Sequence, residues 1–487
     1  MASAMFGVFN PLLYHISLFH SIPSSFTLTR MRLTKIICTV GPATGDIQGI
    51  RALAHAGMDI ARVNLAHGTR EQHCQFLQML RELREREGLV VASLLDVKGP
   101  EIRTGDCSSP LVITEGEQVI FSPYPLPAAQ GKVIVVNYEQ FARDVLRAEN
   151  ILIDNGELSF DVLKVQGTQV YARCRQGGGI GSRRHINIPG ADISLPALTR
   201  QDWQNVLLAT EQDVDFIALS FVRTSQELQD LRAFLRERGA MADIIAKIET
   251  RQAVDHIDDI IAAADGVMVA RGDLGVEIPF ERVPAIQDHI VAQCCTEGKP
   301  VIIATHMLES MTEHPFPTRA EVTDVAHAAA TFVDAVMLSG ETARGKFPVA
   351  CVQTMDRILQ ETESSHVPFP GNVRPSCNAW EARAEAAVLL ARSLPSPIIC
   401  VMTHSGMSAR AVSRFRPGFP IIACTDDPGV ERRLRLPYGV MPYALPLCDA
   451  GETARCALQR TRDVLGLPSG TQVVVLSETK GEVRCVP

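Results

Sequence analysis

The chain has 487 residues, too many for one ordinary domain and enough for two to four, each able to bury its own core. Hydrophobic residues make up 46% and charged residues 21%, the balance of a globular protein rather than a disordered or fibrous one. A formal net charge of −8 argues against a nucleic-acid binder, which needs a basic face, and leaves room for a local basic cleft suited to a phosphorylated small molecule.

Residues 1–30 contain no Asp or Glu and a single Arg. Their apolar stretch is broken by Asn10, Pro11 and His15, too interrupted for a membrane span, and it lacks the basic start of a secretory signal. They read as a disordered tail or an extended start. Thirteen cysteines are scattered without any Cys-x-x-Cys spacing, so neither a disulfide frame nor a zinc site is expected. Reduced thiols point to the cytoplasm.

From Met31 to about Phe347, short Val- and Ile-rich runs alternate with helical segments. The runs are Lys35–Thr39, Asp59–Asn64, Val90–Asp96, Asp215–Ser220, Ile244–Ile248, Gly266–Ala270, Val301–Thr305 and Ala335–Leu338. Continuous apolar strings of this length suit strands buried on both faces, and eight of them with helical crossovers predict a closed (β/α)8 barrel of the TIM type. One spacing breaks the rhythm. Between Asp96 and Asp215 lie short alternating stretches separated by Gly, Pro and Asn, namely Leu111–Ile113, Gln118–Phe121, Lys132–Val136, Ile151–Ile153 and Gln169–Ala172. They predict a small antiparallel β domain, closed as a little barrel and inserted into the large one. The glycine-rich stretch Gly177–Gly181 lacks the strand-turn-helix setting of a nucleotide loop and reads as a flexible turn. A Ser/Pro-rich link from Ser364 to Ser376 leads to a second α/β pattern with runs at Pro397–Met402, Pro420–Cys424 and Gln472–Leu476. The expected organisation is an extension (1–30), a barrel (31–104 and 189–358), an inserted β domain (105–188) and a C-terminal α/β domain (375–487).

Residues at the C-terminal ends of barrel strands converge on one mouth. What stands there is polar: Arg62 and Asn64, then Asp96 and Lys98 with Glu101 and Arg103, then Ser220 and Arg223, Lys247 and Glu249, Asp273, Thr305, and Ser339 with Glu341. Strand alternation puts Lys247 and Glu249 on one face. Glu249 and Asp273 suit Mg²⁺, which takes one or two carboxylates and leaves other positions to substrate and water. A lysine beside that metal could neutralise a phosphoryl group in transfer. Any one of these residues alone would pass as a salt bridge, cap or turn. Polar ends on strands two to eight together would not.

These residues, with the stretches Lys35–Pro42, Arg62–Gly68, Leu95–Gly105, Lys247–Glu249, Val267–Pro279, Ala304–Met311, Pro317–Val322 and Met337–Ala343, resemble the pyruvate kinases in order and spacing. The resemblance implies phosphoryl transfer from phosphoenolpyruvate to ADP in glycolysis, giving pyruvate and ATP, with Mg²⁺ (or Mn²⁺) and K⁺. It implies that Glu249 and Asp273 hold Mg²⁺ and that Lys247 stabilises the moving phosphoryl group. Backbone amides of Arg271, Gly272 and Asp273 would seat the carboxylate, with Ser220 nearby, and Thr305 would lie near the methylene carbon. Ser339 and Glu341 would form a proton relay, and Arg62 would contact phosphate. Thr39, Pro42, Arg62, Asn64, His67 and Arg184 would lie along the nucleotide, the inserted β domain would be a lid with Asp154 and Asn155 at its tip, and the C-terminal domain would be regulatory. A cytoplasmic, allosteric homotetramer without nucleic-acid or membrane partners is expected.

The chain departs from the family pattern in places. The monovalent-cation site would use Asn64, Asp96, the Val97 carbonyl and a serine hydroxyl, but Ala66 stands where that serine is expected. Glu101 is the acid that accompanies K⁺ dependence, so K⁺ activation with weakened affinity is expected. His306 replaces a common glutamine and reads as a hydrogen-bonded structural histidine. In the C-terminal domain Thr403, Ser405, Gly406 and Ser408 resemble a loop that holds one phosphate of a sugar bisphosphate, through free amides and the helix dipole. The longer loop for the second phosphate has no counterpart after Leu476, so an effector with one phosphate, or none, is expected. The alternatives are a metal-dependent aldolase or lyase, which would need neither lid nor Lys247, and a catalytically silent regulator, which would have lost Lys247, Glu249, Asp273 or Thr305.

Overall fold

The computed structural model describes residues 31–127, 131–191, 193–365, 374–445, 450–477 and 481–486. The expected extension (1–30) and the middle of the expected link (366–373) lie outside the described residues. Eight parallel strands close into a barrel: β1 (Lys35–Thr39), β2 (Ile60–Asn64), β3 (Ala92–Val97), β4 (Phe216–Leu219), β5 (Asp243–Ile248), β6 (Gly266–Ala270), β7 (Val301–Ala304) and β8 (Ala335–Leu338). Each pairs with its neighbours in sequence, and β1 closes on β8 through Lys35 opposite Ala335.

Side-chain alternation divides every strand between two cores. Ile36, Cys38, Val63, Leu95, Ala246, Val269 and Ile303 point outward and pack under the helices. Ile37, Ile60, Leu94, Ala218, Ile245, Met268, Ile302 and Met337 fill the interior. Counting two residues up from the inward positions Ile60, Leu94, Ala218 and Ile245 reaches Arg62, Asp96, Ser220 and Lys247. The upper end of the filled interior is therefore polar because the strand period carries the same face out of the apolar layers.

The helices between strands are started by their own sequence. Thr69, Thr199 and Thr318 each accept from the backbone three residues on, and Gln72, Asp202 and Glu321 return the bond to the threonine amide. Such capping boxes satisfy two orphan donors and fix where each helix begins.

The insertion has a six-stranded sheet, in the order Ile186–Asn187, Asn150–Ile153, Leu158–Gln166, Gln169–Gln176, Gln118–Ser122, Lys132–Val135, and a two-stranded ribbon of Leu111–Ile113 with Gly178–Ile180. Both share a core around Phe121, Phe141 and Phe160. As expected, the inserted sheet closes as a small barrel: residues 102–105 bridge its two outer strands, Arg103 pairing with His185 and Thr104 with Val136. Two features differ from the sequence reading. The pair Gln118–Ser122 with Lys132–Val135 runs parallel. The glycine-rich stretch is not a loose turn but the ribbon strand Gly178–Ile180. A Cβ on Gly177 would sit 2.4 Å from the Ile113 carbonyl oxygen, so the glycine there serves close strand approach.

The C-terminal domain is a five-stranded sheet ordered Val440–Ala444, Ile421–Thr425, Ile399–Met402, Gln472–Leu476, Gly481–Cys485, with the last strand antiparallel. It docks under the barrel, where Leu436 joins the interior core from below. Among the described residues no helix is long and apolar enough to cross a membrane.

Candidate active site at the barrel mouth

Lys247 is the hub. Its ammonium donates to Ser220 Oγ at 2.7 Å and lies 3.1 Å from Asp96 Oδ1 and 2.8 Å from Glu249 Oε1. Burial pulls its pKa down, but the charges of Asp96 and Glu249 outweigh burial and hold it above the ordinary lysine value. Lys247 is therefore a permanent cation rather than a base. Burial likewise pushes Asp96 up, and Lys247 with Arg62 brings it below the usual carboxylate range. Arg62 donates to Asp96 Oδ2 at 2.7 Å and to Thr39 Oγ1 at 2.7 Å, so most of its fork is already committed.

Glu249 behaves differently from Asp96. It is fully buried, and burial pushes its pKa to about 7, with Lys247 opposing the rise and Asp273 adding to it. The Phe221 amide donates to its Oε2 at 2.7 Å. Its Oε1 lies 2.8 Å from the Lys247 ammonium, which leaves the carboxylate one spare lone pair on each oxygen. Together with Asp273, one turn into the helix that follows β6, this acceptor fits a hard divalent cation that takes the rest of its shell from substrate and water.

Thr305 sits just past β7 with φ +70°, and His306 follows at φ +55°. A β-branched residue in the left-handed region is strained, and such strain persists only where the surroundings over-determine it. Here the Gly272 amide donates to Thr305 Oγ1 at 2.8 Å, and Arg271 Nη2 donates to the Thr305 carbonyl at 2.6 Å. Arg271 is anchored in turn on Asp324 at 2.7 Å. The Arg271 side chain thus holds the Thr305 turn and is turned away from a substrate, which leaves only its backbone for that role. The His306 ring is exposed, and it is the backbone carbonyl, not the ring, that Arg271 holds.

Beyond β8, the Ser339 amide donates to Glu341 Oε2 at 2.7 Å and the Leu308 amide to Oε1 at 3.2 Å. Burial raises the Glu341 pKa, against those hydrogen bonds. Ser339 Oγ is buried without a hydrogen-bond partner among the described residues. The mouth therefore carries one open polar atom among the described residues at the strand ends, Ser339 Oγ, at the end of the strand beside the strained threonine's.

The remaining expected residues are placed less tightly. Asn64 lies opposite Asp96 across β2 and β3, but its Oδ1 already accepts from the Ala66 amide at 3.0 Å. The Val97 side chain packs in the outer core, so only its backbone is available to the mouth. Pro42 and His67 are in the loops after β1 and β2, His67 exposed. Arg184 stays on the lid, paired with Asp154 at 3.1 Å. Asp154 and Asn155 form the turn after Asn150–Ile153, both at positive φ. Glu101 is paired with Lys98 and Arg103. In the C-terminal loop Thr403 Oγ1 accepts from the Gly406 amide at 3.0 Å and Ser405 Oγ lies 3.5 Å from the Met407 amide, so two donors a phosphate would use are spent within the loop. Sequence reasoning missed Phe221 and Asp324: one acts through its backbone, and the other lies 53 residues from its partner.

A TIM-type barrel whose mouth gathers a caged lysine, a buried carboxylate and a strained threonine beside an inserted β domain has the charge and positioning that a phosphoryl-transfer enzyme needs. The pyruvate kinase barrel domain is matched over residues 31–352 and the pyruvate kinase alpha/beta domain over 381–484. The chain is 37% identical over 471 residues to plastidial pyruvate kinase 2 of Arabidopsis thaliana, covering 94% of this chain and 81% of that protein. It is 36% identical to a pyruvate kinase of Thermotoga maritima over 93% and 97% of the two. A crystal structure of a pyruvate kinase from Cryptosporidium parvum superposes with a TM-score of 0.90 at 34% identity, covering 94% of this chain and 97% of that one. The chain belongs to the pyruvate kinase family, and its class of activity is phosphoryl transfer.

Proposed function

We propose that the chain transfers the phosphoryl group of phosphoenolpyruvate to ADP, giving pyruvate and ATP, as the glycolytic reaction. The observation that carries this reading is Lys247, a buried permanent cation held by Asp96, Ser220 and Glu249 at the rim of the barrel interior. Phosphoryl transfer asks for positioning and charge neutralisation more than for covalent help. Glu249 and Asp273 would hold Mg²⁺ or Mn²⁺, which when bound neutralises charge on the phosphoryl oxygens. The amides of Gly272 and Asp273 would orient the carboxylate. Thr305, held by Gly272 and Arg271, would face the methylene carbon, with Ser339 and Glu341 behind it in a proton relay. Arg62, Thr39, Pro42, Asn64, His67 and Arg184 would line the nucleotide, and the lid would exclude water that could take the phosphoryl group instead. K⁺ would sit near Asn64, Asp96 and the Val97 carbonyl, weakly, because Ala66 brings no hydroxyl and Asn64 Oδ1 already has a donor. A cytoplasmic homotetramer, regulated by one phosphate at Thr403, Ser405, Gly406 and Ser408 or by none, completes the proposal.

The test is simultaneous measurement of pyruvate and ATP from phosphoenolpyruvate, ADP and Mg²⁺. Equal amounts of both products are expected; pyruvate formed without ATP, or no turnover by folded protein, would contradict the reading.

A further inference from the structure

Beside the mouth, where the strap leaving the lid crosses the barrel, lies a cavity of about 340 Å³. None of Lys247, Glu249, Asp273 and Thr305 lines it. Ile102, Ile188, Leu195 and Phe221 form its apolar wall, Asn187 faces Glu277 across its polar side, and the lining cations Arg223 and Arg251 are paired with Glu227 and Asp255. The volume is at the lower end of small-molecule sites, which run from about 300 to 1,000 Å³. Its walls are fixed: Arg223 donates to the carbonyls of Ile193 and Leu195 at 2.5 and 2.6 Å, so the strap is tied to the barrel.

Asn187 carries the second observation. It is 6% exposed and donates through Nδ2 to Glu277 Oε1 at 3.3 Å, while its Oδ1 is buried and has no hydrogen-bond partner among the described residues. An unpaired buried amide oxygen costs free energy, which a bound donor would recover. The neighbouring carboxylate is also an acceptor, and burial pushes its pKa up, so a cation there would relieve it. Two acceptors at one end and an aliphatic and aromatic wall at the other describe the complement of a ligand. We propose that this cavity binds a protonated amine carried on a small apolar body, the ammonium between Asn187 Oδ1 and the Glu277 carboxylate and the body against Ile102, Ile188 and Phe221.

Such a ligand would bridge the lid strap, through Asn187 and Ile188, to the barrel, through Phe221 and Glu277. Phe221 is also the residue whose amide holds Glu249 Oε2. Occupancy would then reach the metal carboxylate and the lid without touching the substrate.

The probe is 2-phenylethylamine, titrated into the full chain by calorimetry, a readout independent of turnover. Saturable binding is expected that phosphoenolpyruvate does not compete away, with 2-phenylethanol bound at least about tenfold more weakly, a difference of about 1.4 kcal/mol. Asn187→Leu should weaken the amine by about tenfold or more. Ala191→Phe, which fills the cavity and leaves both acceptors in place, should abolish binding and guards against misfolding of the first variant. No binding to the wild-type chain, equal binding of the alcohol, affinity unchanged in both variants, or displacement by phosphoenolpyruvate would each overturn the proposal.

Discussion

At the floor of the barrel Arg416 meets Asp334 with two nitrogens, Arg432 bridges Asp213 and Asp215, and Arg410 reaches Asp243. All three arginines come from the C-terminal domain, and the carboxylates Asp215, Asp243 and Asp334 stand at the N-terminal ends of β4, β5 and β8. At the mouth the same chemistry is left unfinished. Lys247 is divided among three partners, burial pushes the Glu249 pKa up to about 7, and Ser339 keeps a hydroxyl without a partner among the described residues. Ion pairs made across two domains hold them together, whereas charges and hydroxyls gathered at the mouth of a rigid frame are placed for something that is not protein. The two ends of one barrel thus separate stability from chemistry.

Substitutions at the two ends should separate the same way. The largest stability effect is expected from Arg416→Met, which strands Asp334 in the interior; urea unfolding should lose about 3–5 kcal/mol while kcat of the folded fraction is kept. A fall in kcat with unchanged stability would erase the distinction. Glu381 sharpens it from the C-terminal side. Burial pushes its pKa up, but the Cys377 amide, Arg414 and Arg374 hold it at about 2, against an ordinary 4.5. Its contribution is therefore complete above about pH 4.5 and drains away as pH falls toward 2. Glu381→Gln should flatten the acid loss of stability by roughly 1 kcal/mol, discounted for solvent screening; an unchanged pH profile would remove Glu381 from the anchoring set. The smallest effect concerns Ala66→Ser, which restores a hydroxyl beside Asn64 and should lower the K⁺ concentration for half activation by about fivefold, near 1 kcal/mol. Full wild-type activity without K⁺ would show that no such site operates.

The barrel was legible because its strands are buried on both faces, and buried strands announce themselves as Val- and Ile-rich runs. Leu158–Gln166 and Val440–Ala444 are absent from the sequence reading for the opposite reason: Asp161 and Lys164 interrupt the first, and Pro442 the second. The parallel pair in the lid and the ribbon strand Gly178–Ile180 depend on tertiary pairing that no local pattern encodes. In the site, Lys247, Glu249 and Asp96 were readable from strand alternation. The raised pKa of Glu249 was not, since it depends on how deeply the carboxylate is buried between Phe221 and Lys247. Nor was the inward role of Arg271, whose partner Asp324 lies on a different helix.

The most direct test is Lys247→Met, assayed for pyruvate formation with Mg²⁺ and for its unfolding midpoint in the same preparation. Loss of turnover by about 10³-fold in protein that still unfolds cooperatively is the expected result. Wild-type turnover in the variant would contradict the assignment of the mouth to catalysis.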